Sequence, residues 1–307
     1  MTETLTPLLS ACRCCPRACG VNRLAGEIGY CGTAAEILVA HTGLHFGEEP
    51  PLSGTKGSGT IFFAGCNLRC VFCQNHQISQ EFDRRECRAH DAASLASEML
   101  RLQEAGAHNI NLVSPSHVVC QAADAIREAK ERGLRVPIVY NSNGYDSVDS
   151  LRRIRGLVDI YLPDLKYLSE EIAERYSDAL DYVEIAPAAI REMWEQVGFL
   201  ETDRRGIATH GLLVRHLVLP GRLENSRRCL RFLAELSREI SVSILSQYSP
   251  RHRAADYPEI DRYPTVEEYR EIAEFALQIG LSNAYVQEME SRDHYLPDFS
   301  RDRPFET

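Results

Sequence analysis

The sequence predicts an α/β fold in which helices cover a largely parallel β-sheet. Seven short apolar runs with the length of buried strands alternate with six segments whose apolar residues recur at helical spacing. The chain has 307 residues, 44% of them hydrophobic and 25% charged, which is typical of a globular protein and excludes a disordered or collagen-like chain. The right-handed crossovers of such a pattern build either an open doubly wound sheet or a complete or partial (β/α) barrel.

The elements follow one another along the chain. The predicted strands span residues 60–64, 110–113, 137–140, 158–162, 212–219, 242–245 and 284–286. The predicted helices span residues 92–105, 118–132, 147–155, 188–197, 225–240 and 266–279. Polar residues that can cap a helix start are Asp91, Ser147, Asn225 and Thr265. Glycines predict the ends of five helices: Gly106, Gly133, Gly156, Gly198 and Gly280.

The first 60 residues differ from the rest because they are rich in Cys, Gly and Pro and lack helical periodicity. We therefore divide the chain into a Cys-rich segment at 1–59, an α/β core at 60–290 and a tail at 291–307. The chain has 34 basic and 44 acidic residues, so no basic surface for duplex nucleic acid is expected. No apolar run reaches the about 18 residues of a membrane span.

Eight of the 11 cysteines lie within the first 73 residues, several at Cys-x-x-Cys spacing. Such spacing predicts metal or cluster binding in a reducing compartment, so we expect a cytoplasmic protein. Cys66, Cys70 and Cys73 form a C-x3-C-x2-C loop directly after the first predicted strand. A [4Fe–4S] cluster normally takes four cysteines, so three leave one iron free for another ligand. The alternative is structural zinc completed by Cys87 or His76.

The run at residues 58–75, SGTIFFAGCNLRCVFCQN, resembles the radical SAM superfamily and its pyruvate formate-lyase activating enzyme-like branch. The CPRAC run at residues 15–19 is similar to an uncharacterised subgroup of that branch. The resemblance implies a partial (β/α) barrel with a Cys-rich N-terminal segment. It also implies that the loop cysteines hold a [4Fe–4S] cluster whose fourth iron binds S-adenosylmethionine (SAM). Reductive cleavage of SAM then gives a 5′-deoxyadenosyl radical, and the electron comes from a low-potential donor such as flavodoxin or ferredoxin.

The same resemblance assigns cofactor contacts at the strand ends. The backbone at Phe72 would lie against the adenine, and Ser114 and Ser116 replace a turn that receives the methionine amino group. Asn143 matches a family asparagine, although Asn143-Gly144 can equally be a plain turn. His117 is a candidate acid or base, or simply a helix cap.

Later strand ends add charged candidates. Asp164 and Lys166 are two residues apart, so they project to the same face of a strand. We expect them to bind SAM, with a plain surface ion pair as the alternative. The resemblance places Arg215 near the methionine carboxylate. Gln287 and Glu288 follow the last strand and line either a substrate pocket or its rim.

The N-terminal cysteines predict a second metal centre. The subgroup's C-x2-C-P-R-x-C pattern selects Cys12, Cys15, Cys19 and Cys31, with Cys14 as a spare. The spacing is a poor zinc ribbon, so we favour an iron–sulfur cluster over zinc. Its role is open among structural support, electron relay and substrate anchoring.

The sequence thus predicts a radical SAM enzyme, an oxidoreductase that abstracts hydrogen from its substrate. One hypothesis is activation of a glycyl radical enzyme, in which case the substrate is a protein. The other is radical modification of another peptide, an RNA or a small molecule. A non-catalytic metal or electron-transfer protein would explain the cysteines, but not the charged residues at successive strand ends.

Overall fold

The structure, a computed structural model, describes residues 4–287, 296–301 and 303–305. The strands are β1 Ile37–His45, β2 Ser58–Phe63, β3 Arg88–His90, β4 Ile110–Val113, β5 Ile138–Ser142, β6 Ile160–Pro163, β7 Glu201–Thr202, β8 Ala208–Leu217, β9 Ser241–Leu245 and β10 Ala284–Val286. The α-helices are α1 Pro50–Ser53, α2 His76–Ser79, α3 Ala92–Glu104, α4 Val119–Glu131, α5 Val148–Arg153, α6 Glu170–Ser177, α7 Tyr182–Val197, α8 Leu223–Leu236 and α9 Val266–Gln278. Short 3₁₀ helices span Thr6–Ala11, Arg23–Ala25, Pro115–His117 and Ala254–Asp256.

The strands form one sheet in the order β10-β9-β8-β6-β5-β4-β2-β1-β3, with β7 paired to β8. From β2 to β10 the seven predicted strands are parallel and neighbour one another in chain order. A doubly wound sheet reverses its strand order, whereas this one does not. In the described residues no pairing joins β10 to β3, so the predicted partial (β/α) barrel is confirmed.

The strands β2, β4, β5 and β6 are buried along their whole length, as expected for parallel strands covered on both faces. Helix α3 buries the predicted face of Leu95, Met99 and Leu102. Its N-cap, Asp91, accepts a hydrogen bond from the Ser94 backbone. In the described residues no helix is both long and apolar enough to cross a bilayer.

Several short elements were not predicted, and three longer ones differ most from the prediction. Strand β1 lies in the Cys-rich segment and pairs antiparallel with β2. Helix α6 was not predicted, because its sequence is largely charged and shows little apolar periodicity. It buries only Ala173, Tyr176 and Ser177. Helix α7 begins at Tyr182 rather than residue 188 and contains Pro187.

Asn225 is not the N-cap of α8, which begins two residues earlier. Its side chain instead accepts from Leu168 N at 2.9 Å and donates to Lys166 O at 2.9 Å. The asparagine therefore holds the backbone of the loop after β6, where two candidate site residues lie.

Candidate functional site

A cavity of about 230 Å³ opens at the carboxyl ends of the parallel strands. This is the edge of a parallel α/β sheet where ligands bind. The loop cysteines line the cavity together with six predicted cofactor-contacting residues: Phe72, Ser114, Asn143, Asp164, Lys166 and Arg215. The tertiary structure therefore brings residues from five separate strand ends around one space.

The loop that carries Cys66, Cys70 and Cys73 leaves β2 through Gly65. That glycine has a φ of +82°, and a Cβ there would clash with the carbonyl oxygen of Cys31. Any other residue would be strained in this left-handed conformation as well as blocked by the neighbouring backbone. The loop therefore packs directly against the N-terminal segment.

Each cysteine sulfur of the loop has a hydrogen-bonding neighbour. These are Leu68 N and Asn143 Nδ2 at 3.4 Å from Cys66 Sγ, Ser177 Oγ at 3.0 Å from Cys70 Sγ, and Ser79 Oγ at 3.3 Å from Cys73 Sγ. Donors of this kind stabilise thiolate ligands and tune the potential of an iron–sulfur centre. Burial raises the pKa of Cys66 to about 11 and that of Cys73 to about 12, so these thiols keep their protons until a metal displaces them.

The sulfur positions do not match a single tetrahedral zinc ion. Tetrahedral zinc places its thiolate sulfurs about 3.8 Å apart, given Zn–S bonds of about 2.3 Å. In the described part of the chain, no three cysteine sulfurs lie within 4.8 Å of one another. The proposed fourth zinc ligands are directed elsewhere, since Cys87 Sγ donates to Asp83 O and His76 Nδ1 contacts Glu81. The zinc alternative for this loop is therefore not supported.

A largely buried charge network forms another part of the cavity wall. Asp164 accepts from Lys166 Nζ at 2.7 Å and from Arg215 Nε at 2.9 Å. Burial opposes ionisation of Asp164, but the two cations hold its pKa below the usual value. Arg215 Nη2 also donates to Asn141 Oδ1 at 2.5 Å, so this amide serves as a neutral acceptor. The side chains of Asp164, Lys166 and Arg215 are only 15–20% exposed, so these residues do not form the plain surface ion pair considered from the sequence.

Sequence reasoning missed Glu48, which completes this network. Its carboxylate lies 3.5 Å from Arg215 Nη1 and accepts from Asn111 Nδ2 at 2.9 Å. Burial raises the pKa of Glu48, although Arg215 acts in the opposite direction. The chain leaves antiparallel β1 at the amino ends of the parallel strands, so Glu48 reaches the cavity from the end opposite the cysteine loop. The adjacent pair Glu48-Glu49 before two prolines was the available signal.

The two serines predicted to contact SAM after β4 lie in different environments. Ser114 lines the cavity with a left-handed backbone, whereas Ser116 is buried outside the lining residues. His117 is also buried, and its Nε2 lies 2.9 Å from Ala64 O. Burial lowers the pKa of His117 to about 4, so it is neutral at pH 7 and occupies a structural position.

Asn143 contacts the cysteine loop as well as the cavity. It donates to Asn67 Oδ1 at 2.8 Å, and its Oδ1 accepts from Tyr145 N at 2.9 Å. Gly144 has a φ of +80°, as the Asn-Gly turn predicts. Asn143 therefore lies in a turn and also contacts the cysteine loop. Gln287 accepts from Ser246 N and does not line the cavity, and Glu288 lies outside the described residues.

The N-terminal cysteines form a second group behind the loop. Cys12, Cys15 and Cys31 are buried and Cys19 is exposed. They border a gap of about 10 Å³, roughly the space of one water molecule. Cys14 also borders the gap, but its sulfur lies 3.0 Å from that of Cys120 in α4. Burial raises the pKa of Cys15 above the usual range.

Arg23, also missed from the sequence, is fully buried beside this cysteine group. Its guanidinium donates to Ala34 O at 2.8 Å, to His117 O at 2.6 Å and to Thr33 Oγ1 at 2.9 Å. Its Nη1 lies 3.8 Å from Cys12 Sγ. In the described part of the chain no carboxylate pairs with Arg23, so a buried cation is surrounded by neutral groups unless the nearby thiols are ionised.

Two arginines join the cysteine groups. Arg17 donates from Nε to Asn67 O at 2.9 Å, next to Cys66. Arg69, within the loop, donates to Tyr30 O, and its guanidinium lies 4.5 Å from the centre of the Tyr30 ring. The N-terminal group is therefore in direct contact with the back of the cysteine loop, and it does not line the main cavity.

Comparisons with known proteins identify the family of this chain. A family model described as the radical SAM superfamily matches residues 60–193. An uncharacterized protein of Methanocaldococcus jannaschii is 30% identical over 288 residues, which cover 92% of this chain and 79% of that protein.

Three solved structures match the chain at low sequence identity. A maturase of the [FeFe]-hydrogenase matches with a TM-score of 0.52 at 12% identity, over 75% of this chain and 50% of that one. Methylornithine synthase matches with a TM-score of 0.49 at 13% identity, over 75% and 63%. A domain of the pyruvate-formate lyase-activating enzyme from Bacteroides vulgatus matches with a TM-score of 0.40 at 15% identity, over 54% and 89%. At these identities the first of the three supports the fold alone.

Proposed function

Because this chain belongs to the radical SAM superfamily, we propose that Cys66, Cys70 and Cys73 bind a [4Fe–4S] cluster and that the cavity beside them binds SAM. When bound, the cluster and SAM supply a 5′-deoxyadenosyl radical that abstracts hydrogen from a substrate. The observation that carries the proposal is that all three sulfurs face one cavity and each has a hydrogen-bonding neighbour. The remaining steps depend on what this chain's own residues do.

Lys166 is the residue we assign to the SAM carboxylate. Its ammonium has three donors, and Asp164 is the partner of one of them in the described residues. Arg215 faces the cavity too, but its donors contact Asp164, Asn141 and Glu48. We therefore propose that Arg215 positions Asp164, which then holds Lys166 and remains available to polar groups of SAM.

Two aromatic residues form a further part of the cavity wall. The ring of Phe72 packs 5.4 Å from that of Tyr248, and both residues are buried and line the cavity. Tyr248 OH donates to Ile260 O at 2.7 Å, so its polar atom is directed away from the cavity. A dry surface beside the loop protects radical chemistry from water and offers a flat face to the adenine.

We further propose that Cys12, Cys15, Cys19 and Cys31 bind a second metal centre. The buried charge of Arg23 supports this proposal, because ionised thiolate ligands would balance it. The contact of Gly65 with Cys31 and the separation from the cavity favour a structural or electron-relay role over substrate anchoring. The cysteine loops would have to rearrange to bind a cluster, because the gap between them is small, and to bind zinc, because their sulfurs do not lie close enough together for one ion.

The reaction needs a reductant, for which we propose a low-potential flavodoxin or ferredoxin. Activation of a glycyl radical enzyme is the narrower hypothesis, and the resemblance of residues 58–75 supports it. Pro297 and Phe305 of the C-terminal segment line the cavity, so a polypeptide would have to pass them to reach the cysteine loop. Incubation with a glycyl radical enzyme encoded beside this protein's gene should give a glycyl radical signal in electron paramagnetic resonance if that hypothesis holds.

The central test is SAM cleavage by the anaerobically reconstituted protein with dithionite. We expect 5′-deoxyadenosine and methionine from the parent and none from Cys70→Ser. The matched control is Cys87→Ser, which changes a cysteine outside the loop whose thiol contacts Asp83 O. Equal turnover by Cys70→Ser and the parent would refute the assignment of the loop.

A further inference from the structure

His76, Glu81 and His252 bring three metal-binding atoms together at the side of the cysteine loop. His76 Nδ1 lies 2.9 Å from Glu81 Oε2, and His252 Nδ1 lies 3.3 Å from Glu81 Oε1. The two imidazole rings stack with centroids 4.9 Å apart and an interplanar angle of 16°. All three ligand atoms lie within 4.8 Å of one another, the only such group in the described residues.

We propose that these three residues bind a divalent transition-metal ion distinct from both cysteine-bound centres. Two imidazole nitrogens and one carboxylate form a ligand set that takes zinc or ferrous iron, and three protein ligands leave coordination positions for water. Glu81 has a side-chain exposure of 56%, so an ion can enter from solvent, whereas His252 is only 7% exposed and held in place.

The backbone at His252 supports a built site. His252 has a φ of +54°, a left-handed conformation that is costly for a residue with a side chain. Next to it, Arg253 N donates to Val71 O at 2.8 Å, which joins this loop to the cysteine loop. The chain thus holds a strained histidine against His76 although neither residue contacts the cavity.

The position indicates what the ion would do. His76 begins α2, three residues after Cys73, and His252 follows the cavity-lining residues Tyr248 and Ser249. Gln74 Nε2 donates to Gln247 O at 2.7 Å, so the same two loops already touch at the cavity wall. An ion bound by His76 and His252 would clamp the flank of the cysteine loop to the loop after β9.

Cobalt(II) is the probe, added to cluster-loaded protein under anaerobic conditions. We expect the parent to bind one more cobalt ion per chain than Glu81→Gln or His252→Asn, with d–d absorption and without thiolate charge-transfer bands. Glu86→Gln, an exposed carboxylate of the same segment, is the matched control and should bind as the parent does. Equal binding by the parent and Glu81→Gln, or thiolate bands from the extra ion, would overturn the site.

Hydrogen–deuterium exchange tests the clamp separately. With zinc added to cluster-loaded protein, amides in residues 74–81 and 248–253 should exchange more slowly in the parent and not in Glu81→Gln. Cobalt binding without this protection would overturn the clamping role. Neither measurement uses SAM cleavage, so failure here is distinguishable from failure of the proposed radical chemistry.

Discussion

The two cysteine groups lie back to back, yet they are built differently. The sulfurs of Cys66, Cys70 and Cys73 face a cavity of about 230 Å³, and each has a hydrogen-bonding neighbour. The N-terminal sulfurs border a gap of about 10 Å³ beside the buried Arg23. An open cofactor site needs space for a second ligand, whereas a closed site uses its protein ligands alone. On this difference we base our proposal that substrate chemistry belongs to the first group and support or electron supply to the second.

Removing either set of ligands should have the largest effect and separate the two groups. The triple variant Cys66/Cys70/Cys73→Ala should lose SAM cleavage completely yet retain the N-terminal metal. Elemental analysis should find about four iron atoms per chain if that centre is a [4Fe–4S] cluster. One zinc and no iron per chain would mean that the N-terminal site exists but binds zinc.

The reciprocal variant replaces Cys12, Cys15, Cys19 and Cys31 by alanine. Its control is Cys14→Ala, which should keep the N-terminal metal. If the triple variant binds no metal and its four N-terminal thiols are readily alkylated, the proposed second metal centre is refuted.

Lys166→Ala tests whether the cavity binds SAM through a cation. Loss of a charged hydrogen bond is worth about 1.5–3 kcal/mol, so the dissociation constant for SAM should rise about ten- to a hundredfold. Equilibrium binding to the cluster-loaded protein measures this change. Lys56→Ala alters an exposed lysine far from the cavity lining and should leave affinity unchanged. An unchanged constant in Lys166→Ala would place that lysine outside the site.

Arg23→Met tests the charge balance of the closed group. If metal-bound thiolates balance this buried cation, its removal should lower N-terminal metal affinity by about tenfold or more, equivalent to about 1.5–3 kcal/mol. Metal-free protein should lose less stability, because an unpaired buried charge is itself unfavourable. Metal retention against a chelator and thermal unfolding of the metal-free protein measure the two effects. Equal metal retention by variant and parent would contradict the balance.

Ser177→Ala should have the smallest effect, confined to the open group. Ser177 donates to Cys70 Sγ at 3.0 Å, and its loss should make the cluster potential more negative because the reduced, more negative cluster is stabilised by donors. A change of about 1 kcal/mol corresponds to roughly 40 mV for one electron. The control, Tyr167→Phe, removes the hydroxyl that contacts Ser177 while keeping the serine. A redox titration in which both variants match the parent would show that this donor does not tune the cluster.

Much of the site was predictable because its ligands are local or follow strand ends. Cys66, Cys70 and Cys73 lie in one loop, and buried parallel strands appear as apolar runs, so Asp164 and Lys166 were recognised by position and Arg215 by the family resemblance. Helix α7 was placed less well, because Pro187 argues against a helix interior and tertiary packing overrides it. Ser116 illustrates the limit of a resemblance, since it aligns with a contact but is buried outside the cavity lining.

By itself, the sequence determined the α/β class, the seven parallel strands and the three-cysteine loop, because periodic burial and short ligand spacing are local properties of the chain. The tertiary structure alone decided that Glu48 meets Arg215, that Arg23 lies buried at Cys12 and that His252 stacks on His76. The first and third pairs join segments far apart in the chain, and Arg23, although only 11 residues from Cys12, is buried by its contact with the distant His117. Their meeting depends on the antiparallel β1 and on the order and curvature of the sheet, which no local pattern encodes.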